Sequence, residues 1–274
     1  MKMNIGYFPG CTLKATALNF EKSALEVAKI LGFQLEELSQ WHCCGTVPSL
    51  SQDDLLKQIS PVRNLIYAQS LGYNKIVTLC SMCYNTLAQS NLFVKENKEK
   101  LRKINQFMSE MPDYDGGVEV KHFLSFLKEQ ITLEKIRESV KTNLSGIKIA
   151  CYYGCLLLRP KIIGIDDSEQ PKILEELMQV LGAEPVYFPY KTECCGAYHT
   201  VIKPDIVARR VYRILENAKE NKAQIVITSC PLCHFNLTKR QEEIKKIHPD
   251  FKEIPVVYFT EVMLQALGEN FKCV

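Results

Sequence analysis

No run of about 18 apolar residues occurs in this chain of 274 residues, so no membrane-spanning helix is expected. There is no G-x-G-x-x-G and no Gly-rich phosphate loop, which leaves no evident flavin or nicotinamide site. The tight Cys-x-x-Cys-x-x-Cys run of a bacterial ferredoxin is missing too. Net charge is scarce: 34 Lys and Arg stand against 31 Asp and Glu, a balance of +3, which gives no reason to expect nucleic acid as a partner. The stretch MKMNIGYFPGC has no long apolar segment, so no secretory signal is expected and a cytoplasmic location is. At 46% hydrophobic residues the chain can bury a real core. What it has in excess is cysteine, with 12 residues. In a chain of this size without an export signal, that load points to metal binding or catalysis rather than to a disulfide framework.

The sequence repeats itself. Residues 4–11 (NIGYFPGC) match 148–155 (KIACYYGC), 42–45 (HCCG) match 193–196 (ECCG), and 76–83 (IVTLCSMC) match 226–233 (VITSCPLC). Fainter echoes pair LGFQLEEL with LGAEPVYF, and VKHFLSFL with VVYFTEVML. The blocks keep their order, so two copies of one domain are expected, 1–145 and 146–274. Each copy reads as alternating strands and helices, hence parallel α/β layers of Rossmann-like type. Strands are expected at 4–8, 75–79, 147–152 and 224–228. The first helix should bury Leu18, Leu25, Ala28 and Leu31, and its counterpart near Pro171 should bury Leu174, Leu177 and Leu181. Further helices are expected to open at Ser60-Pro61 and near Pro204, to run through Lys95–Lys103, and to cover Thr132–Leu144.

The cysteines follow the repeat. Copy one has Cys11, the pair Cys43-Cys44, then Cys80-x-x-Cys83; copy two has Cys155, Cys194-Cys195, then Cys230-x-x-Cys233. Cys151 and Cys273 have no counterpart. Five thiols exceed the four that a structural zinc takes, and ordinary dithiol chemistry does not need ten matched cysteines. An iron–sulfur cluster with an unusual ligand number is the reading that uses them all; zinc and dithiol redox are the alternatives.

The pattern Cys-x31-Cys-Cys-x35-Cys-x-x-Cys followed by Cys-x38-Cys-Cys-x34-Cys-x-x-Cys resembles the paired cysteine-rich CCG domains in the B subunits of heterodisulfide reductases (HdrB-like), over essentially the whole chain. The resemblance implies two similar tandem domains related by a pseudo-two-fold axis, with two noncubane [4Fe-4S] clusters at their interface. By position, Cys11, Cys43, Cys44, Cys80 and Cys83 would bind one, and Cys155, Cys194, Cys195, Cys230 and Cys233 the other. It further implies a small-molecule or protein disulfide substrate, of the CoM-S-S-CoB or another thiol type, split between the clusters. Partners would supply the electrons, namely the iron–sulfur C and flavin-bearing A subunits of such complexes. Related domains also sit beside lactate, glycerol-3-phosphate, succinate/fumarate and quinone-linked oxidoreductases, so a pure electron-transfer role is the alternative.

Other residues are candidates for supporting work. His42, His199 and His234 adjoin the cysteines and could deliver protons, or simply hydrogen-bond sulfur or backbone. Lys14, Arg159 and Lys161 follow the Gly-Cys turns and could attract an anionic substrate. Tyr84, Asn85 and Asn236 could line the cleft, and Gly45 or Gly196 could let the backbone approach a cluster. Cys151 reads as a small apolar strand residue, and Cys273 as a free thiol.

Overall fold

The computed structural model describes residues 3–46 and 53–269; Cys273 lies outside them. The elements follow in the order β1 (Met3–Phe8), α1 (Leu18–Ile30), β2 (Phe33–Glu37), α2 (Leu56–Ser70), β3 (Lys75–Thr78), α3 (Ser81–Glu96), α4 (Lys98–Phe107), β4 (Glu119–His122), α5 (Phe123–Phe126) and α6 (Leu133–Ser139). The second half runs β5 (Lys148–Tyr152), α7 (Ile173–Val180), β6 (Glu184–Pro185), α8 (Pro204–Glu220), β7 (Ile225–Thr228), α9 (Pro231–Lys239), α10 (Gln241–Ile247), β8 (Val256–Tyr258) and α11 (Phe259–Ala266).

These strands form two separate four-stranded sheets, ordered β2-β1-β3-β4 and β6-β5-β7-β8. Every pairing is parallel, with Tyr7 opposite Val77 in one sheet and Ala150 opposite Val226 in the other. A parallel sheet needs helices on both faces, so its inner strands read as continuous apolar runs. Ile76-Val77-Thr78 and Ile225–Thr228 are accordingly buried throughout. The helices bury one stripe each. In α8, Val207, Ala208, Val211, Ile214, Leu215 and Ala218 face inward while Arg209, Arg210 and Arg213 stay in water.

The two halves pack reciprocally. Helix α1 lies on α11, with Phe20 stacked on Tyr258 at 4.1 Å, Ser23 hydrogen-bonded to Thr260 at 2.6 Å and Asn19 donating to Glu261 at 2.8 Å. Helix α5 correspondingly meets α7. The cysteine-bearing loops leave the carboxyl ends of β1, β3, β5 and β7, the edge where open α/β sheets collect ligands.

Several local expectations need correction. Leu18 and Leu25 are 45% and 38% exposed; the buried stripe of α1 is Phe20, Ala24, Val27 and Ala28, continuing to Leu31. Helix α2 starts at Leu56, five residues before Pro61, because the Asp53 carboxylate accepts from the N–H groups of Leu55 and Leu56. Pro61 sits inside the helix. The charged stretch at 95–103 is interrupted at Asn97, between α3 and α4. Helix α6 stops at Ser139, since the N–H groups of Lys141 and Thr142 both donate to Ala266 O at 2.9 Å, at the end of α11.

Candidate metal centre

Each Gly-Cys turn brings the main chain close to sulfur. Gly10 has φ +74°, and a Cβ there would sit 2.8 Å from Cys83 Sγ; Gly154 has φ +68°, and its Cβ would lie 3.2 Å from Cys233 Sγ. Only glycine combines that backbone with that proximity. A Cβ on Gly45 or Gly196 would instead meet Ser60 or Val207, so the close approach falls before the single cysteine, not after the pair. Cys80 and Cys230 occupy the N-cap positions of α3 and α9, with Cys83 and Cys233 in the first turns. Free N–H groups at a helix start favour thiolate over thiol.

The sulfurs meet in a chain of pairs. In copy one, Cys43 contacts Cys44, Cys44 contacts Cys83, and Cys83 contacts Cys80. In copy two, Cys155 contacts Cys194, Cys195 lies 3.5 Å from Cys233, and Cys233 contacts Cys230. Cys80 and Cys230 also interact with each other across the halves. Beside them Ser81 and Ser229 join Oγ to Oγ at 3.1 Å.

Within these pairs one thiol ionises at the expense of the other. Hydrogen bonds from Cys43 and then Cys83 hold Cys44 down to about 4, while its bond to Cys44 pushes Cys43 up. The Cys155 contact brings Cys194 down to about 6, and Cys155 rises correspondingly. Cys230 is lowered by Cys233 and Cys80, and Cys80 is raised by Cys230. All eleven described cysteines are free thiols. Cys151, buried in β5 with its thiol pushed up by desolvation, contacts none of the ten.

Among the described residues, no three His, Cys, Asp or Glu side chains form a group that could hold a single metal ion. The five thiols of copy two instead line one cavity of about 50 Å³, walled by Met82, Tyr153 and Leu156. Thiols spread around one space, with Cys194 and Cys230 held below the usual thiol range, are donors of the kind an iron–sulfur cluster takes. Loading it would release the protons that the raised thiols still carry.

The histidines take different places. His42 stacks on Tyr67 at 5.7 Å, with its backbone N–H on Asn64 Oδ1 and its buried Nδ1 without a partner among the described residues. His199 is exposed, in a short turn directly after Cys194-Cys195-Gly196. His234 is tied to the sheet: its Nε2 bonds Val256 O at 3.0 Å, its ring stacks on Tyr258 at 4.3 Å, and burial lowers its pKa, against a smaller opposing pull from Cys230. The fully buried His122 was not among the sequence candidates. Its Nε2 bonds Leu79 O at 2.8 Å beside Cys80, and burial drives its pKa down to about 4. The VKHFLSFL/VVYFTEVML echo was the available signal, since it aligns His122 with Tyr258.

Of the remaining candidates, Asn236 donates to Cys195 O at 3.3 Å and Sγ at 3.5 Å. Its counterpart Thr86 bonds Cys44. Tyr84 and Asn85 stitch the halves together, Tyr84 Oη to Ile163 O at 2.6 Å and Asn85 Nδ2 to Leu156 O and Arg159 O, both at 2.7 Å. Lys14 is committed to Glu21 and Glu37, and Arg159 to Ser168 O and Glu169, so neither is free to draw in an anion. Lys161 is exposed.

Residues 5–88 and 149–238 each match the cysteine-rich domain family CCG. The 8-methylmenaquinol:fumarate reductase membrane anchor subunit of Wolinella succinogenes is 32% identical, with 98% of this chain and 93% of that protein aligned. A protein of Archaeoglobus profundus, named as like the B subunit of heterodisulfide reductase, is 30% identical over 96% of this chain and 90% of its own length. Among solved structures, a hypothetical protein from Helicobacter pylori superimposes with a TM-score of 0.78 at 12% identity, covering 97% of this chain and 49% of the other, a likeness of fold alone. No helix among the described residues is long and apolar enough to cross a membrane, although one relative's name includes a membrane anchor. Two matched copies, each with its five-cysteine set, together with full-length relatives of the heterodisulfide reductase B type, place this chain in the cysteine-rich CCG-domain family.

Proposed function

We propose that this chain is an iron–sulfur subunit of a reductase complex, in which residues 1–145 and 146–274 each bind one noncubane [4Fe-4S] cluster through their five cysteines. Its reaction is the reduction of a low-molecular-weight disulfide: two electrons and two protons enter, the S–S bond breaks, and two thiols leave. The electrons come from partners equivalent to the iron–sulfur C and flavin-bearing A subunits of heterodisulfide reductases. Bound clusters would supply one-electron steps at thiolate-ligated iron. The observation that carries the reading is the meeting of the two cysteine sets at Cys80 and Cys230, with Ser81 and Ser229 beside them. A substrate with two nearly equivalent sulfur ends suits two matched sites that meet on the boundary between copies. Of the three histidines, His199 is best placed to exchange protons with water, since it is exposed and adjacent to the second set.

Metal and acid-labile sulfide analysis of anaerobically purified protein is the first test. About eight irons with matching sulfide per chain are expected for two four-iron clusters; stoichiometric zinc without sulfide would overturn the reading. The second test is disulfide reduction by the complex with its partner subunits. One observation favours a second reading, namely the 32% identity to a subunit of a fumarate reductase. If the complex passes electrons to or from a quinone and reduces no disulfide, this chain is a relay.

A further inference from the structure

Two buried hydroxyls occupy matched places in the copies. Thr78 ends β3 and Thr228 ends β7, each two residues before the first cysteine of its Cys-x-x-Cys. Both residues are 0% exposed, and the Oγ1 atoms of both are without a hydrogen-bond partner among the described residues. An unpaired buried hydroxyl costs about 1–3 kcal/mol, and such groups are rare in folded proteins. That both copies keep one at the same position points to an acceptor outside the chain. The sheets show where it would lie, because register partners on adjacent strands project from the same face. Thr78 stands between Phe8 and His122, and Thr228 between Tyr152 and Tyr258. Phe8 and Tyr152 border sulfur. A Cβ on Gly10 would lie 3.5 Å from Phe8 Cε1 and 2.8 Å from Cys83 Sγ, and one on Gly154 would lie 3.5 Å from Tyr152 Cε1 and 3.2 Å from Cys233 Sγ. Polar neighbours in the two rows are already engaged. His122 Nε2 donates to Leu79 O at 2.8 Å and its Nδ1 accepts from the Leu124 N–H at 3.2 Å, while Tyr152 Oη donates to Glu193 O at 2.6 Å.

From this placement we infer that Thr78 and Thr228 each donate a hydrogen bond to a sulfur of the cluster that their own copy binds. Donors toward sulfur already occur in both sets, since Thr86 bonds Cys44 and Asn236 Nδ2 lies 3.5 Å from Cys195 Sγ. Reduction adds negative charge to a cluster, so a donor stabilises the reduced form more than the oxidised one and raises the potential. The two threonines are thus positioning residues, one per copy, that favour uptake of the electron. The inference rests on the iron–sulfur reading and adds residues that tune it.

The test is a redox titration of the anaerobic, iron-loaded protein, followed by electron paramagnetic resonance, with each threonine changed in turn to Ser, Ala and Val. Thr78→Ala and Thr78→Val should each disfavour reduction of one cluster about tenfold, or about 59 mV for a one-electron step, and leave the other cluster unmoved. Thr228→Ala and Thr228→Val should do the same to the other cluster. Thr78→Ser and Thr228→Ser keep the hydroxyl and should keep the parental potentials. Ser and Ala both lack the methyl group, so their difference isolates the hydroxyl. Potentials at parental values in the Ala and Val variants would overturn the inference, and so would equal shifts in Ser and Ala. Loss of iron from the Ala and Val variants but not from Ser would support it, because the hydroxyl then holds the cluster. Loss from all three would assign the threonines to packing and overturn it. Stoichiometric zinc without sulfide in the parent protein would instead remove the iron–sulfur reading beneath it.

Discussion

Copy one leaves Cys11 and Cys43 at the surface, whereas copy two keeps all five of its cysteines buried or half-buried around one apolar cavity. The two share strand order, helix caps and spacing of the Cys-x-x-Cys, so the difference comes from the loops. The segment between the single cysteine and the vicinal pair has 31 residues in the first copy and 38 in the second. The longer one supplies the backbone carbonyls that Tyr84 and Asn85 of copy one grip. Copy one has no equivalent extra length. The two cysteine sets match in sequence, and among the described residues the second is the more enclosed.

The comparison is most severely tested by iron. Cys83→Ser or Cys233→Ser should each remove about half of the bound iron and sulfide. In the parent protein a membrane-impermeant iron chelator should extract iron in two phases, the fast one belonging to the open first set. Cys233→Ser should retain only the fast phase and Cys83→Ser only the slow one; a single phase in the parent protein would end the distinction.

A second difference is an exchange of partners around the Cys-x-x-Cys helices. In copy one Tyr84 follows Cys83 and meets His122 edge-on at 5.9 Å; in copy two His234 follows Cys233 and stacks on Tyr258. The same two residue types have traded positions, and the histidine of copy one lies deeper. Its pKa is depressed by burial to about 4 from 6.5. The unfolded chain therefore binds more protons than the folded one between these values, and stability falls as pH drops through that window. From pH 6.5 to 5 the loss should be about 1.5 kcal/mol, read from urea midpoints. His122→Gln, which keeps a donor toward Leu79 O, should remove most of that slope. His234→Gln should remove less, because that ring is only half-buried.

Smaller effects separate buried clamps from surface ones. Asn85→Ala breaks two hydrogen bonds to backbone carbonyls of the other copy and should cost about 2 kcal/mol. The ion pair of Lys128 with Glu176 also joins the halves, but its side chains are 43% and 38% exposed. Lys128→Ala should therefore shift the urea midpoint by less than about 1 kcal/mol. A comparable loss from both would mean that the clamp at Asn85 is not special.

Much of this organisation was legible in the residues, for identifiable reasons. A duplicated parallel α/β unit repeats its apolar strands and its Gly-Cys and Cys-Cys-Gly turns, so the order of blocks announced two sheets. The Cys-x-x-Cys spacing put both thiols on one turn of a helix. Boundaries were less legible where a distant group decided them, as at α6, which Ala266 O terminates from the far end of the chain. Leu18 and Leu25 show the same limit, since helical period alone does not reveal that Phe20 carries the packing against Tyr258.

The site divides in the same way. Local spacing along the chain determined which cysteines travel together, because thiols held on one turn or one loop stay neighbours whatever surrounds them. Only the packing of the two halves decided that Cys80 meets Cys230, that His234 turns toward the sheet and His122 is buried, and that Lys14 and Arg159 are occupied by carboxylates. Those outcomes depend on residues distant in sequence arriving at one place, and a periodic pattern carries no record of which distant residues will meet.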